Sequence, residues 1–331
     1  MITIEEKKKE KNNKIQMIRA IAIITVILAH TCPGGKYQVY VIAFINFAVQ
    51  TFFFLSGYLT KLEVPELKKF YKKRIIRVLI PYVIWTFLYT TFNFIDYGVD
   101  LKKYITNLLT TQSSGALFFI FVYIQLVLIT PLLGKLAKSK YKWLGLLITP
   151  AYMLIKYYWI IKGIEPNKYM SIIWSICCLG WVSYYYLGML LGNGIVKKEL
   201  SIKKLGIIYV ITIAIQILEG YIWYRFGRED CGTQVKLSNY ITSVAVIMIF
   251  YWYLKNDKLN KTSKTLVMIG NYSFGIYISQ LMIIKTLLKI PGYKEIPFIC
   301  NSIIILFITV LFVVVCNKIF GKKISRWMGL C

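Results

Sequence analysis

The sequence is poor in acid, poor in histidine and poor in charge overall. Of 331 residues, 14 are acidic, one is a histidine and 17% are charged, against 57% in the apolar class. A soluble chain carries about 25% charge. Here the charges sit in short clusters between apolar runs of about 20 residues, too long and too many for a soluble core. A soluble globular enzyme and a disordered chain are therefore excluded. One histidine, with no Cys/His cluster at metal-ligand spacing, predicts no metal site. The net charge of +27 comes without a nucleic-acid motif. No nucleic-acid partner is expected, and the lysines are read as setting membrane orientation. The opening MITIEEKKKEKNNK is polar and mixed in charge, and no small-residue cleavage site follows the first apolar run. It is therefore no signal peptide, and the first span is expected to be retained. Neither an internal repeat nor a soluble catalytic domain is found, so the chemistry is expected of the apolar segments themselves. Of the seven cysteines, Cys177, Cys178, Cys300 and Cys316 fall in apolar runs and read as packing residues. Cys32 and Cys231 fall in loops of the same side, and their pairing is left open.

What is present is a series of ten apolar runs, roughly 15–32, 38–60, 75–97, 115–134, 142–162, 171–195, 205–226, 238–254, 266–288 and 297–317. Each predicts a transmembrane helix, because a helix satisfies its own backbone in hydrocarbon and these runs are too long for barrel strands. The expected fold is all-α, a polytopic bundle of about ten helices in the bilayer. Of the 41 basic residues, 28 lie in six segments that alternate with lysine-poor loops. They are the N-terminal Lys7 to Lys14, then Lys61 to Arg77, Lys135 to Lys142, Lys197 to Lys204, Lys255 to Lys264 and Lys318 to Arg326. This asymmetry predicts both termini in the cytoplasm. The expected organisation is a basic tail over 1–14, a bundle over 15–320 and a second basic tail over 321–331.

Ionisable residues inside spans are costly and usually functional. The first span holds Arg19 and His30, eleven residues apart. At about 100° per residue they share one helix face, with a rise of about 16 Å between them. Arg19 lies near the cytoplasmic end and His30 past the midplane. The plain alternatives are a snorkelling arginine and an interfacial histidine. The chemical reading of His30 is a general base, whose ordinary pKa suits proton transfer at neutral pH. Arg74 and Arg77, three residues apart, are neighbours on one face where the third span leaves the cytoplasm. The chain has six arginines in all, and two at this spacing suit bidentate grip on a phosphate. The alternative is an anchor for lipid headgroups. A carrier held by Arg19, Arg74 and Arg77 would send a long arm along the first helix toward His30. Coenzyme A has that shape, with phosphates at one end and a thioester at the other.

With these residues in place, the chain resembles the membrane acyltransferase-3 family, multi-span bacterial enzymes that acylate cell-surface glycans. The family's Arg-x10-His pattern is met by Arg19 and His30, and its Arg-x-x-Arg before Pro-Tyr by Arg74, Arg77, Pro81 and Tyr82. The phrases FFFLSGYLT with Ser56 and Gly57, YYYLGMLLG with Gly188 and Gly192, and NYSFGIYIS at 271–279 follow in the family's order. The resemblance implies acyl-CoA, acetyl- or succinyl-CoA, as donor, and an extracytoplasmic glycan hydroxyl as acceptor. It implies His30 as the catalytic residue, the three arginines as donor ligands, and a bacterial cell membrane as location. The subgroup associated with biofilm polysaccharide is included. Two departures stand out. Gln280 replaces a histidine common in the family after the IYLI-like phrase, and Ala116 with Leu117, Phe118 and Phe119 replaces His-Leu-Trp-Phe. His30 is left as the one imidazole.

Two routes stay open: direct attack with His30 as base, or a transient acyl-histidine. Candidate oxyanion or acceptor contacts in the outer half are Ser56, Tyr277 and Gln280. Glu219, near Tyr221, Trp223 and Tyr224, suits a sugar or an aromatic belt, and Asp96 is similar. The competing class is a transporter or an export subunit without acyl transfer. The oligomeric state is not legible.

Overall fold

A computed structural model describes residues 4–94, 98, 100–164, 166–196, 200–228, 231–256, 259 and 262–331. Asp96 lies outside the described residues. In chain order the helices are α1 (Ile4–Thr31), α2 (Lys36–Tyr40), α3 (Ile42–Ile45), α4 (Ala48–Tyr58), α5 (Leu67–Phe94), α6 (Leu101–Thr110), α7 (Phe118–Lys138), α8 (Ile148–Ile161), α9 (Lys168–Ile176), α10 (Val182–Gly192), α11 (Ile202–Arg225), α12 (Leu237–Lys255), α13 (Lys264–Asn271), α14 (Ser273–Leu287) and α15 (Phe298–Trp327). No strand occurs among the described residues. The protein is an all-helical polytopic membrane protein.

Seven helical segments are long and apolar enough to cross a bilayer, and α13 with α14, bent by 72°, makes an eighth. The remaining expected spans, 142–162 and 171–195, are broken into shorter pieces: a 3-10 turn before α8, and α9 then α10 on either side of a turn at Cys178–Gly180. Broken backbone inside a bundle must find new partners. Here Gln125 of α7 supplies them. Its amide donates to the Ile176 carbonyl at 2.6 Å and accepts from the Cys178 N–H at 3.2 Å, on either side of the extended residue Cys177. Thr149 and Ser183 cap each other in the same way, each hydroxyl accepting the other's backbone N–H at 3.1 and 3.0 Å. A hydropathy run sees the apolar side chains on both sides of a break but not the neighbour that makes the break tolerable.

The glycine-bearing phrases are packing devices. A Cβ at Gly188 would lie 2.1 Å from the Phe54 carbonyl oxygen, and one at Gly57 1.9 Å from that of Tyr185. Backbones of α4 and α10 therefore cross in direct contact, the small-residue solution to helix association in lipid. Around the crossing, Phe53, Phe54, Tyr184, Tyr185 and Tyr186 form one core. A second core joins α1, α5, α14 and α15 through Ile23, Trp85, Tyr89 and Ile276.

Described residues of both expected tail segments pack on the bundle. The N-terminal residues from Ile4 continue α1. Lys14 is buried and donates to the Asn256 carbonyl at 2.7 Å, closing the C-terminal end of α12. At the other end α15 turns at Gly321 (φ 68°), a left-handed conformation that glycine adopts freely. The chain then folds back so that Leu330 is buried and the Met328 carbonyl accepts the Trp85 indole N–H at 2.9 Å. Lys322, Lys323 and Arg326 stay exposed. Burial of Leu330 with part of Met328 is what draws this segment in, while Trp327 stays exposed.

Candidate active site

The arginines meet at one end of the bundle. Arg74 donates to the Leu59 carbonyl at 3.3 Å, at the end of α4, and lies over the Phe70 ring. Arg77, exposed one turn further along α5, is near enough to Arg19 for its charge to act on it, and Tyr123 of α7 is a neighbour of both Arg19 and Tyr185. The Nε of Arg19 is buried without a hydrogen-bond partner. Among the described residues the ion pairs are Lys69–Glu66 and Lys138–Glu63, both exposed. In the second, the hydrogen bond from Lys138 holds the Glu63 carboxyl below its ordinary range. No described carboxylate accompanies the three arginines. Like charges held together without a counter-ion favour binding of an anion.

The Tyr185 hydroxyl, fully buried beside this cluster, reaches Thr130 Oγ1 at 2.9 Å and Thr60 Oγ1 at 3.3 Å. Both threonines donate back to their own helices. This arrangement ties α4, α7 and α10 together behind the arginines. Nothing in the sequence singles out Tyr123 or Tyr185 from the other tyrosines.

His30 lies at the opposite end of the span. Its neighbour Thr31 is 2.6 Å from Ser302 near the start of α15. By accessible area His30 is exposed. It has no hydrogen-bond partner among the described residues. Between Arg19 and His30 the inward side of α1 is apolar and buried, with Ile23, Val26 and Ile27.

The other expected contacts separate. Gln280 on α14 is fully buried, and neither atom of its amide has a partner among the described residues. Tyr277, one turn earlier, is buried edge-on to Phe119 at 5.3 Å. Ser56 donates to the Phe52 carbonyl and stands one turn from Leu59, so it belongs to the arginine end rather than the outer half. Chain direction explains this, since α4 runs toward the basic loop that follows it. Glu219 is occupied in structure: it accepts from the Tyr157 hydroxyl and from the Ser238 N–H in the first turn of α12.

A cavity of about 1160 Å³ opens at the end away from the basic clusters. It is walled by the loop after α6, the loop after α8, the break between α9 and α10, and the segment before α12. Phe118, Tyr152, Trp159, Trp174 and Trp181 give it aromatic sides, and Gln112, Gln234, Ser171 and Ser175 give it polar ones. Neither Arg19 nor His30 lines it. Its edge residue Gly115 abuts Leu281, the neighbour of Gln280 in sequence. The sequence carried one signal for this cavity, the polar run TTQSSG between two spans.

Three arginines at one end, an imidazole further along the same helix and a polar-aromatic cavity are the features that stand out in an all-helical membrane protein. Residues 12–318 match the acyltransferase domain of the acyltransferase-3 family. The chain belongs to that family and is a membrane-bound acyltransferase. No curated protein and no solved structure matches it.

Proposed function

We propose that this enzyme moves an acyl group, acetyl in the first instance, from cytoplasmic acyl-CoA to a hydroxyl of an extracytoplasmic glycan in a bacterial cell membrane. The observation that carries the reading is the placement of Arg19 and His30 on one helix, with Arg77 beside Arg19 and no described carboxylate among them. Phosphates of the donor bind Arg19, Arg74 and Arg77, and the uncharged arm follows the apolar side of α1. The glycan occupies the aromatic cavity, where sugar rings stack on tryptophan faces and hydroxyls meet amides. A hydroxyl that reaches from the cavity to His30 gives up its proton there as its oxygen bonds to the thioester carbon. The carbon–sulfur bond then breaks and the thiolate recovers the proton. In the two-step route the imidazole nitrogen attacks the thioester carbon, the thiolate leaves and is protonated, and the hydroxyl then displaces the imidazole from the acyl carbon. Gln280, with both amide atoms unpartnered beside Tyr277, is the group best supported for holding the developing oxyanion.

The test is hydrolysis of labelled acetyl-CoA by the purified protein in detergent, wild type against His30→Ala, with succinyl-CoA in parallel. Turnover that disappears in the variant supports the reading. Turnover by neither donor in the wild type, with no binding of either, favours a transporter.

A further inference from the structure

The one non-glycine residue with positive φ among the described residues is Thr111 (φ 58°, ψ 13°). A β-branched residue is strained there, and such strain persists only where the surroundings impose it. The surroundings here are specific. The Thr111 N–H is held by the Asn107 carbonyl at 2.9 Å, and the buried Asn107 amide donates to Thr90 of α5 at 3.0 Å. The Ser113 carbonyl accepts from Asn93 at 2.7 Å, and Asn93 in turn accepts from Lys285 of α14 at 2.8 Å. The turn Thr111–Ser114 is thus pinned from behind by two helices while lying inside the bundle. Irregular backbone at this depth is tolerated where protein surrounds it or a cavity receives it. Both conditions hold, and the residue between the strained and the pinned positions, Gln112, is exposed on the cavity wall.

The Gln112 amide has no hydrogen-bond partner among the described residues. On another wall Gln234 also lines the cavity, with its Oε1 buried and unpartnered. Its segment is fixed as well: the Asn239 amide donates to the Gln234 carbonyl at 2.7 Å, and the Asn46 amide to the Thr233 carbonyl at 3.2 Å. Two amides on separately anchored segments line one space with three tryptophans, Gln112 offering a donor pair and an acceptor and Gln234 its NH2 donors. We propose that Gln112 and Gln234 form a two-sided clamp for the hydroxyls of a sugar ring stacked in this cavity, and that they determine which hydroxyl is presented. The clamp rests on the acyl-transfer reading only for its role in turnover, since binding itself needs no donor.

The test is binding of cellotriose, maltotriose and chitotriose to the full chain in nanodiscs, read by tryptophan fluorescence. At least one is expected to bind. Gln112→Ala and Gln234→Ala are each expected to weaken it about tenfold, the loss expected for one or two hydrogen bonds. Thr111→Gly keeps the turn without strain and is expected to keep the affinity. If the wild type binds none of the three, or if both alanine variants bind as tightly as wild type, the clamp is overturned. Acetyl-CoA hydrolysis by the wild type is measured separately. No turnover of acetyl- or succinyl-CoA and no binding of either, together with intact sugar binding, would sink the proposed donor and leave the clamp standing.

Discussion

Arg77 on α5 lies within electrostatic range of Arg19 on α1, and neither makes an ion pair with a described carboxylate. Two guanidinium groups in this relation repel each other until an anion joins them. Coenzyme A is therefore expected to raise the thermal unfolding temperature of the wild type, as a ligand bound to the folded state must. Arg77→Ala should raise the apparent KM for acetyl-CoA about 10- to 100-fold, the range for lost charged hydrogen bonds. Arg77→Lys should recover only part of this, because the bidentate fork is lost. Lower turnover with unchanged donor affinity would count against a phosphate site.

His30 is the one imidazole in the chain. A general base must be neutral to accept a proton, so kcat/KM should fall as the medium becomes acidic, with unit slope on that limb. His30→Ala should lose at least about 100-fold in transfer and lose the acid limb, while still inserting in the membrane. An acid limb that survives in the variant would assign the titration to another group.

Gln125 supplies both hydrogen bonds across the break between α9 and α10. Gln125→Leu leaves a part-buried carbonyl and a part-buried N–H without their partner, at about 1 kcal/mol each. A lower unfolding temperature in detergent is expected, with reduced sugar binding, since the break forms a cavity wall. An unchanged melting curve would mean water replaces the amide.

Two glycines in long or core helices should respond in opposite directions. Gly188→Ala forces a methyl group against the Phe54 carbonyl and should destabilise by about 1–3 kcal/mol or more. Gly206 on α11 has nothing within 4 Å of a built Cβ, so Gly206→Ala should be neutral or stabilise by about 0.5–1 kcal/mol. Relative melting temperatures of the two variants decide it.

Much of this protein is written in its sequence, because lipid imposes simple conditions. Hydrocarbon requires apolar runs whose backbone is satisfied internally, so the all-helical bundle follows from composition and run length. Arg19 and His30 share a face because 3.6 residues make a turn, and Arg74 and Arg77 are neighbours for the same reason. Those relations are local, and the sequence holds them. What it does not hold is which helix stands beside which. Gln125 looks like any polar residue in a span until α9 and α10 break against it. Glu219 and its aromatic neighbours suit a sugar site until Tyr157 and the start of α12 take up the carboxylate. Gln112 and Gln234 are 122 positions apart, and only the tertiary fold brings their segments to one cavity. Periodicity along one helix is a short-range property of the chain, whereas the partner of a buried polar group is chosen by tertiary packing.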